Sequence, residues 1–274
     1  MTWLRLWAVL SLCLSMSAVA AEKRVDLLLY CGITMVRPMT EIARAFELRA
    51  PVRIAISQGG SEDLYQSAKK SGVGDWYLPG EPSYRDMHLK EGLLGEAVTV
   101  GYNQIALVVT KGNPKRIKPD PRELLRKDVV AIIGSHESGS VGLESRQLLE
   151  AIGIYPQVVD RVAFLAPDSR SLMNAMKKGE ADVALNWRAT GFFPDNASLV
   201  DVVDLDPALA RPQALLLNLL KSSREPALAK QFMAFAAGPE GQAIFRRHGF
   251  LDATAGKKQP DRAMHPLLRT TLSR

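Results

Sequence analysis

The segment that decides the fold is residues 25–47, VDLLLYCGITMVRPMTEIARAFE. It opens with an apolar run at 27–30 that is typical of a buried strand, and after a tight turn at 31–34 apolar residues recur at helical spacing. A turn of this kind leaves the unpaired N–H groups of the next helix free, and such a helix terminus binds anions. The segment therefore predicts a strand, a turn and a helix, with an anion site at the turn.

Residues 1–20 have the three parts of a secretory signal peptide. Arg5 is their only charged residue, an apolar run follows it, and Ala18-Val19-Ala20 matches an A-x-A cleavage site. The run is shorter than the ~20 residues that a membrane-spanning helix needs. We therefore expect export to a bacterial periplasm. Removal of Arg5 would lower the formal net charge from +6 to +5 and leave Cys31 as the only cysteine, so no intrachain disulfide is expected.

The rest of the chain alternates between short apolar runs and amphipathic stretches. The runs that favour strands are at 27–30, 52–57, 104–109, 129–133, 162–165, 183–186, 200–203 and 214–220. The stretches that favour helices are at 35–46, 62–70, 121–126, 141–151, 169–178 and 226–237. Such alternation predicts an α/β fold with mainly parallel sheets flanked by helices.

No linker marks a domain boundary, so we expect two lobes joined by two chain crossings, with a ligand cleft between them. Residues 21–101 and 211–250 would form lobe one, and residues 102–210 lobe two. Residues 251–274 are rich in Lys, Arg and Pro and are expected to form a basic tail. The other basic residues are spread along the chain rather than gathered in a block, so no nucleic-acid partner is expected.

The small-residue turn before a helix recurs along the chain. The four turns are at 32–34, 58–62, 134–142 and 167–170. Ligands in open α/β sheets bind beyond the carboxyl ends of strands, where these turns would lie. Several helix N-termini at one point would suit a compact oxyanion. The alternative interpretation of each turn is an ordinary helix cap, because Ser61, Ser140 and Asp168 are standard capping residues.

Five motifs carry a resemblance to a known family. They are EIARAF (41–46), KGNP (111–114), the loop at 134–142, GEAD (179–182) and GPEGQAIF (238–245) followed by Gly249-Phe250. They occur in order over roughly residues 25–250. In these motifs the chain resembles the periplasmic molybdate-binding proteins of ABC importers, which are two-lobed solute-binding proteins. The resemblance implies the same fold and the capture of an oxyanion similar to molybdate or tungstate.

The resemblance also implies where the anion would bind. The implied ligand-binding residues are Thr34, Gly60, Ser61, Val141, Ser169 and Trp187. The family contributes hydroxyl groups from its first two turns and backbone amides from the next two. It has a tyrosine where this chain has Trp187, whose indole N–H donates a hydrogen bond but cannot accept one.

Two residues leave the choice of ligand open. Cys31 is a further candidate, because a free thiol at the end of a strand could contact a soft ligand, or it could be a small buried filler. Asp168 could accept a hydrogen bond from a protonated anion such as phosphate, or it could cap the helix. A site with donors only favours fully ionised oxyanions such as molybdate, tungstate or sulfate.

The sequence lacks the signatures of common enzymes. It contains no G-x-S-x-G elbow, no Walker-type phosphate loop and no H-E-x-x-H motif. Its four histidines are far apart in sequence, so no catalytic residue, metal site or cofactor is expected.

The expected function is therefore capture of a small oxyanion by hinge closure and its delivery to the membrane subunits of an ABC importer, by a monomeric protein. The alternative is a sensor or accessory protein that uses the same cleft for a different anion or a thiophilic ligand.

Overall fold

The computed structural model describes residues 24–252. The predicted signal peptide and residues 253–274 of the predicted tail lie outside the described residues. The strands are β1 (Val25–Gly32), β2 (Val52–Gly59), β3 (Trp76–Leu78), β4 (Leu94–Asn103), β5 (Ile105–Thr110), β6 (Ala131–Gly134), β7 (Leu165–Ala166), β8 (Val183–Trp187), β9 (Val200–Asp204) and β10 (Gln213–Leu220). The helices are α1 (Val36–Glu47), α2 (Ser61–Ser71), α3 (Ser83–His88), α4 (Ser140–Ala151), α5 (Tyr155–Arg161), α6 (Ser169–Lys177), α7 (Pro194–Ala197), α8 (Pro226–Ala237) and α9 (Pro239–Arg247).

The strands form two five-stranded sheets, and each sheet is the centre of one lobe. The strand order is β2-β1-β3-β10-β4 in lobe one and β7-β6-β8-β5-β9 in lobe two. Helices flank both sheets, so the expected two-lobed α/β fold is confirmed. Among the described residues, no helix combines the length and the apolar character that a bilayer span requires.

Both sheets are mixed, although four of the five strands in each run in the same direction. The reversed strands are β10 in lobe one, which pairs antiparallel with β3 and β4, and β5 in lobe two, which pairs antiparallel with β8 and β9. Each of these two strands follows directly on a crossing from the other lobe. A strand that starts at the crossing must run away from it, whereas the strands that lead into helices run towards it.

The two crossings lie side by side and are joined by hydrogen bonds. The chain leaves the first sheet at Asn103, enters the second at Ile105 and returns between Asp204 and Gln213. The side chain of Gln104 donates from Nε2 to the carbonyl oxygen of Leu205 at 3.0 Å. This bond ties the outgoing crossing to the returning one.

The turn of the first crossing is also held by Asn103. Its Oδ1 accepts from the backbone N–H of Gln104 at 3.0 Å and from that of Ala189 at 3.4 Å. Ala189 follows the end of β8, and the N–H of Arg188 donates to the carbonyl oxygen of Gln104 at 2.8 Å, so several hydrogen bonds join the outgoing crossing to lobe two. We call residues 103–105 and 205–212 the hinge.

Aromatic packing forms the centre of lobe one. The ring of Phe232 on α8 lies edge-on to that of Phe46 with centroids 5.4 Å apart, and 4.6 Å from the indole of Trp76. The indole N–H of Trp76 donates to the carbonyl oxygen of Ala229 at 3.1 Å, so this buried donor is satisfied. These contacts hold α1 and α8 against β3.

We expect Phe232→Ala to lower the free energy of unfolding by about 3–5 kcal/mol, because it removes a fully buried ring and leaves a cavity between two others. Urea unfolding followed by circular dichroism measures this change. The matched control is Leu48→Ala, whose side chain is 89% exposed and which should change stability by less than about 0.5 kcal/mol. A loss below about 1 kcal/mol at Phe232 would contradict the described packing.

Candidate functional site

A small cavity lies between the lobes, at the ends of the strands that run towards the crossing. Its volume is about 280 Å³, part of which is open to solvent. The residues that line it are Gly32, Ile33, Thr34, Met35, Gly59, Gly60, Ser61, Gly80, Gly139, Ser140, Val141, Asp168 and Ser169. All four of the predicted small-residue turns contribute to this lining.

The cavity is surrounded by the first turns of helices from both lobes. In lobe one, β1 leads into a 3₁₀ helix (Ile33–Met35) and β2 leads into α2, which begins at Ser61. In lobe two, α4 begins at Ser140 and α6 begins at Ser169. The N–H groups of a first turn have no acceptor within their own helix, and the helix dipole adds partial positive charge at the same end. The cavity is therefore suited to an anion.

Two serine hydroxyls in the cavity already accept a hydrogen bond from the protein. Ser61 Oγ accepts from the backbone N–H of Gly80 at 3.0 Å. Ser140 Oγ lies 3.4 Å from the indole Nε1 of Trp187, which donates to it. A hydroxyl that accepts in this way keeps its own hydrogen for another partner. Both hydroxyls are therefore oriented as donors.

The acidic residue of the cavity is occupied as a helix cap. A carboxylate oxygen of Asp168 accepts from the backbone N–H of Ser171 at 2.7 Å, and this bond caps α6. The capping interpretation of Asp168 is thus the one the structure supports. With this oxygen occupied, the groups that face the cavity are mainly donors.

Most of the predicted ligand-binding residues lie together in this cavity. Thr34, Gly60 and Ser61 line it from lobe one, and Val141 and Ser169 line it from lobe two. They come from segments as far apart as 135 residues in sequence, so their meeting is a product of the fold. Whether they bind a ligand stays a prediction.

The two other predicted residues lie outside the lining. Trp187 is buried and reaches the cavity through Ser140, so it orients a hydroxyl group instead of facing a ligand. Cys31 lies in the core of lobe one with its Sγ 3.5 Å from the carbonyl oxygen of Gly32. Burial raises the pKa of the Cys31 thiol well above its ordinary value, so a reactive thiolate is disfavoured.

Sequence reasoning missed two contributors to the cavity. Gly80 follows β3, a strand of three residues that the apolar pattern did not reveal, although Pro79-Gly80 is a turn signal. Ser140 was considered only as a helix cap, and no sequence signal pairs it with Trp187.

The two lobes come into contact at the cavity because glycines of lobe one, which have no Cβ atom, face polar groups of lobe two. A Cβ atom at Gly80 would lie 2.1 Å from Ser140 Oγ, and one at Gly60 would lie 2.8 Å from the carbonyl oxygen of Ser138. Next to these contacts, Arg170 Nη2 of lobe two donates to Gln58 Oε1 of lobe one at 2.8 Å. The lobes are thus in a closed arrangement.

A buried carboxyl group lies at the lobe interface. Glu144 of α4 is 5% exposed, and its Oε1 accepts from Gln213 Nε2 of lobe one at 3.1 Å. Its Oε2 has no hydrogen-bond partner among the described residues. Burial raises the pKa of Glu144 to about 7, and the negative charge of Glu81 adds to this effect. Burial likewise raises the pKa of Glu81 in lobe one.

Within residues 24–252, no three His, Cys, Asp or Glu side chains are grouped so that they could hold a metal ion.

Comparison with known proteins gives a family and several similar structures. The model of the family described as "Bacterial extracellular solute-binding protein" matches residues 27–251. Molybdate-binding protein ModA of Mycobacterium tuberculosis is 24% identical over 227 residues, which are 82% of this chain and 84% of ModA. At this identity the match is distant, but it extends over most of both chains.

Solved structures with the same fold bind different solutes. The sulfate-binding protein SubI from Mycobacterium tuberculosis has a TM-score of 0.75 at 17% identity, over 85% of this chain and 90% of SubI. The periplasmic molybdate-binding protein of Azotobacter vinelandii has a TM-score of 0.70 at 16% identity, over 82% and 98%. A periplasmic thiamin binding protein has a TM-score of 0.72 at 17% identity, over 84% and 83%. The fold is therefore shared by proteins whose ligands differ in size and charge.

The raised pKa of Glu144 predicts that stability falls as the pH rises. Between 4.5 and about 7 the folded protein keeps a proton on Glu144 that the unfolded chain releases, so the free energy of unfolding decreases through this range and levels off above it. Glu144→Gln removes this dependence. We expect the variant to gain about 2–3 kcal/mol over the native protein between pH 5 and pH 8.

Urea unfolding of both proteins at several pH values measures this difference. The matched control is Glu150→Gln, on the same helix, whose exposed carboxylate pairs with Arg146. The control should not gain stability with rising pH. A constant difference between Glu144→Gln and the native protein would show that Glu144 titrates as an exposed carboxyl group.

Proposed function

The chain belongs to the bacterial extracellular solute-binding protein family, and from this we propose that it captures a small oxyanion and delivers it to an ABC importer. One observation carries the choice of ligand: a small cavity between the lobes is lined by hydroxyl groups and first-turn N–H groups, and its acidic side chain is used as a cap. A lining made mainly of donors favours an anion that carries no proton.

Two of the similar proteins are named for oxyanions, which is compatible with the donor-rich cavity. ModA of Mycobacterium tuberculosis is named for molybdate and SubI for sulfate. Both ions are compact tetrahedral dianions that need donors on several sides. The cavity offers donors from both lobes, as such an ion requires. Molybdate, tungstate and sulfate are the ligands that this chemistry favours.

The proposed mechanism is closure of the lobes around the anion. Thr34 and Ser61 donate from lobe one, with Gly60 beside them. Val141 and Ser169 donate from lobe two. The anion bridges the two sets and shifts the population towards the closed form, which the membrane subunits of the importer would recognise. No bond is made or broken, so no catalytic residue is needed.

The remaining features of the proposal come from the sequence. We propose that residues 1–20 direct export to the periplasm, where the protein acts as a monomer. Residues 21–101 with 211–250 would move as one lobe and residues 102–210 as the other, except that Tyr102 and Asn103, at the end of β4, would move with lobe one. The sensor alternative with a thiophilic ligand loses support, because the thiol of Cys31 is buried away from the cavity.

A thermal-shift screen tests the proposed function. A ligand that binds only the folded protein raises its melting temperature, and at 100 times Kd it adds about 2.7 kcal/mol of stability. We expect a rise of roughly 5–10 °C with molybdate, tungstate or sulfate at pH 8. Phosphate carries a proton at this pH and should give a smaller shift. If none of the oxyanions in the panel changed the melting temperature from that of the ligand-free protein, the proposal would be overturned.

Replacement of one hydroxyl group tests the position of the anion. Thr34→Val keeps the branched shape but removes the hydroxyl, and it should weaken oxyanion binding by about 10- to 100-fold, the value of one hydrogen bond to a charged group. Isothermal titration calorimetry measures the affinity. The control is Thr40→Val on α1, whose hydroxyl donates to the carbonyl oxygen of Val36 at 2.7 Å. Equal affinities in the two variants would remove Thr34 from the site.

A further inference from the structure

A second, larger groove continues from the cavity along helix α6. It shares Ile33, Thr34 and Ser169 with the cavity, and its volume of about 670 Å³ includes space open to solvent. An inorganic oxyanion in the cavity would leave this groove empty. The continuity of the two spaces points to a ligand that occupies both.

One wall of the groove is a stripe of residues on α6. Ser169, Met173 and Lys177 lie four residues apart, so they share one face of the helix. Eight residues of α-helix rise about 12 Å, which is the distance along the axis from the cavity end of the stripe to the far end. The groove is therefore long enough for a short carbon chain attached to an oxyanion.

The opposite wall has the apolar surfaces of Val36 and Phe193 beside the polar side chains of Thr190 and Asn196, and it carries one paired cation. Val36 of α1 and Phe193 line this wall, and the guanidinium of Arg37 lies 5.3 Å from the ring centroid of Phe193. Arg37 forms an ion pair with Asp195, so much of its charge is already compensated. The apolar surface here suits methylene groups rather than water.

The other two cations of the groove differ in their availability. Arg170, next to the cavity, donates to Gln58 and so takes part in the contact between the lobes. Lys177, at the far end, is exposed and lies beyond salt-bridge distance of every described carboxylate, although Arg37 and, more weakly, Lys177 lower the pKa of Asp195. The two positive charges of Arg37 and Lys177 face the single negative charge of Asp195, so this end of the groove can pair with a second anionic group.

We propose that the site also accepts organic molecules in which a compact oxyanion is joined by a short carbon chain to a carboxylate. This rests on the proposed function, since the oxyanion occupies the same cavity. The carbon chain lies along Met173 and Phe193, and the carboxylate pairs with Lys177. A phosphate monoester fits this class, because its second pKa near 6 leaves it a proton-free dianion at pH 8.

The test compares two probes that differ only in the terminal carboxylate, propyl phosphate and 3-phosphonooxypropanoate, by calorimetry at pH 8 and low salt. We expect the carboxylate to tighten binding to the native protein about fivefold, which is the size of one exposed charge pair. This advantage should shrink at 0.2 M salt, because exposed charges are screened. Equal affinities for the two probes would overturn the second subsite.

A pair of neighbouring lysines supplies the variants. Lys177→Met should abolish the difference between the two probes, while Lys178→Met should keep it, because Lys178 lies outside the groove near Glu180. Neither variant should alter the binding of sulfate or molybdate, which do not reach Lys177. Binding of the inorganic ions without any carboxylate effect would refute the subsite and leave the proposed function intact. Loss of the carboxylate effect in both variants would also refute it.

Discussion

A backbone N–H group in the first turn of a helix has no acceptor within that helix, and a fold that buries such a turn must bring an acceptor to it. Here the first turns that follow β1, β2, β6 and β7 all face the same small space. Side chains accept few of these hydrogen bonds, since α6, capped by Asp168, is the only one of the four helices with a side-chain cap. The unmet donors are the reason why the space between the lobes suits an anion.

The two lobes share this space because glycine allows their backbones to approach. Gly60 and Gly80 lie against Ser138 and Ser140 at distances that a Cβ atom would not permit. The hydroxyls of Ser61 and Ser140 are oriented within their own lobes, by the N–H of Gly80 and the indole of Trp187. The approach of the lobes then brings the two hydroxyls to the same cavity.

Much of the fold and of the cavity could be predicted from local patterns. The apolar run at 27–30 with its turn and helix, and the three similar turns, each depend on residues close in sequence, so periodicity and turn chemistry reveal them. The resemblance to a known family added the positions of Thr34, Ser61, Val141 and Ser169, which all line the cavity.

The features that were missed depend on contacts between distant segments. Strand β3 has three residues, too few for a pattern, and it exists because β1 and β10 pair with it on both sides. In β4 the residues alternate weakly, so no strand was predicted there, and its last residues, Tyr102 and Asn103, were placed in the other lobe. The bond between Trp187 and Ser140 joins residues 47 positions apart, which no local signal reports.

The hinge lies apart from the cavity, so the affinity for a ligand and the choice of ligand depend on different residues. Gln104, Leu205 and Asn103 form its hydrogen bonds, and none of them lines the cavity. Under the proposed closure mechanism, changes at these residues would alter how often the lobes are closed, and the apparent affinity for any ligand would scale with that fraction. Changes in the cavity alter which ligand is preferred. During evolution, members of such a lineage can therefore adjust their affinity to scarcity or abundance of a solute while they keep the same choice of solute.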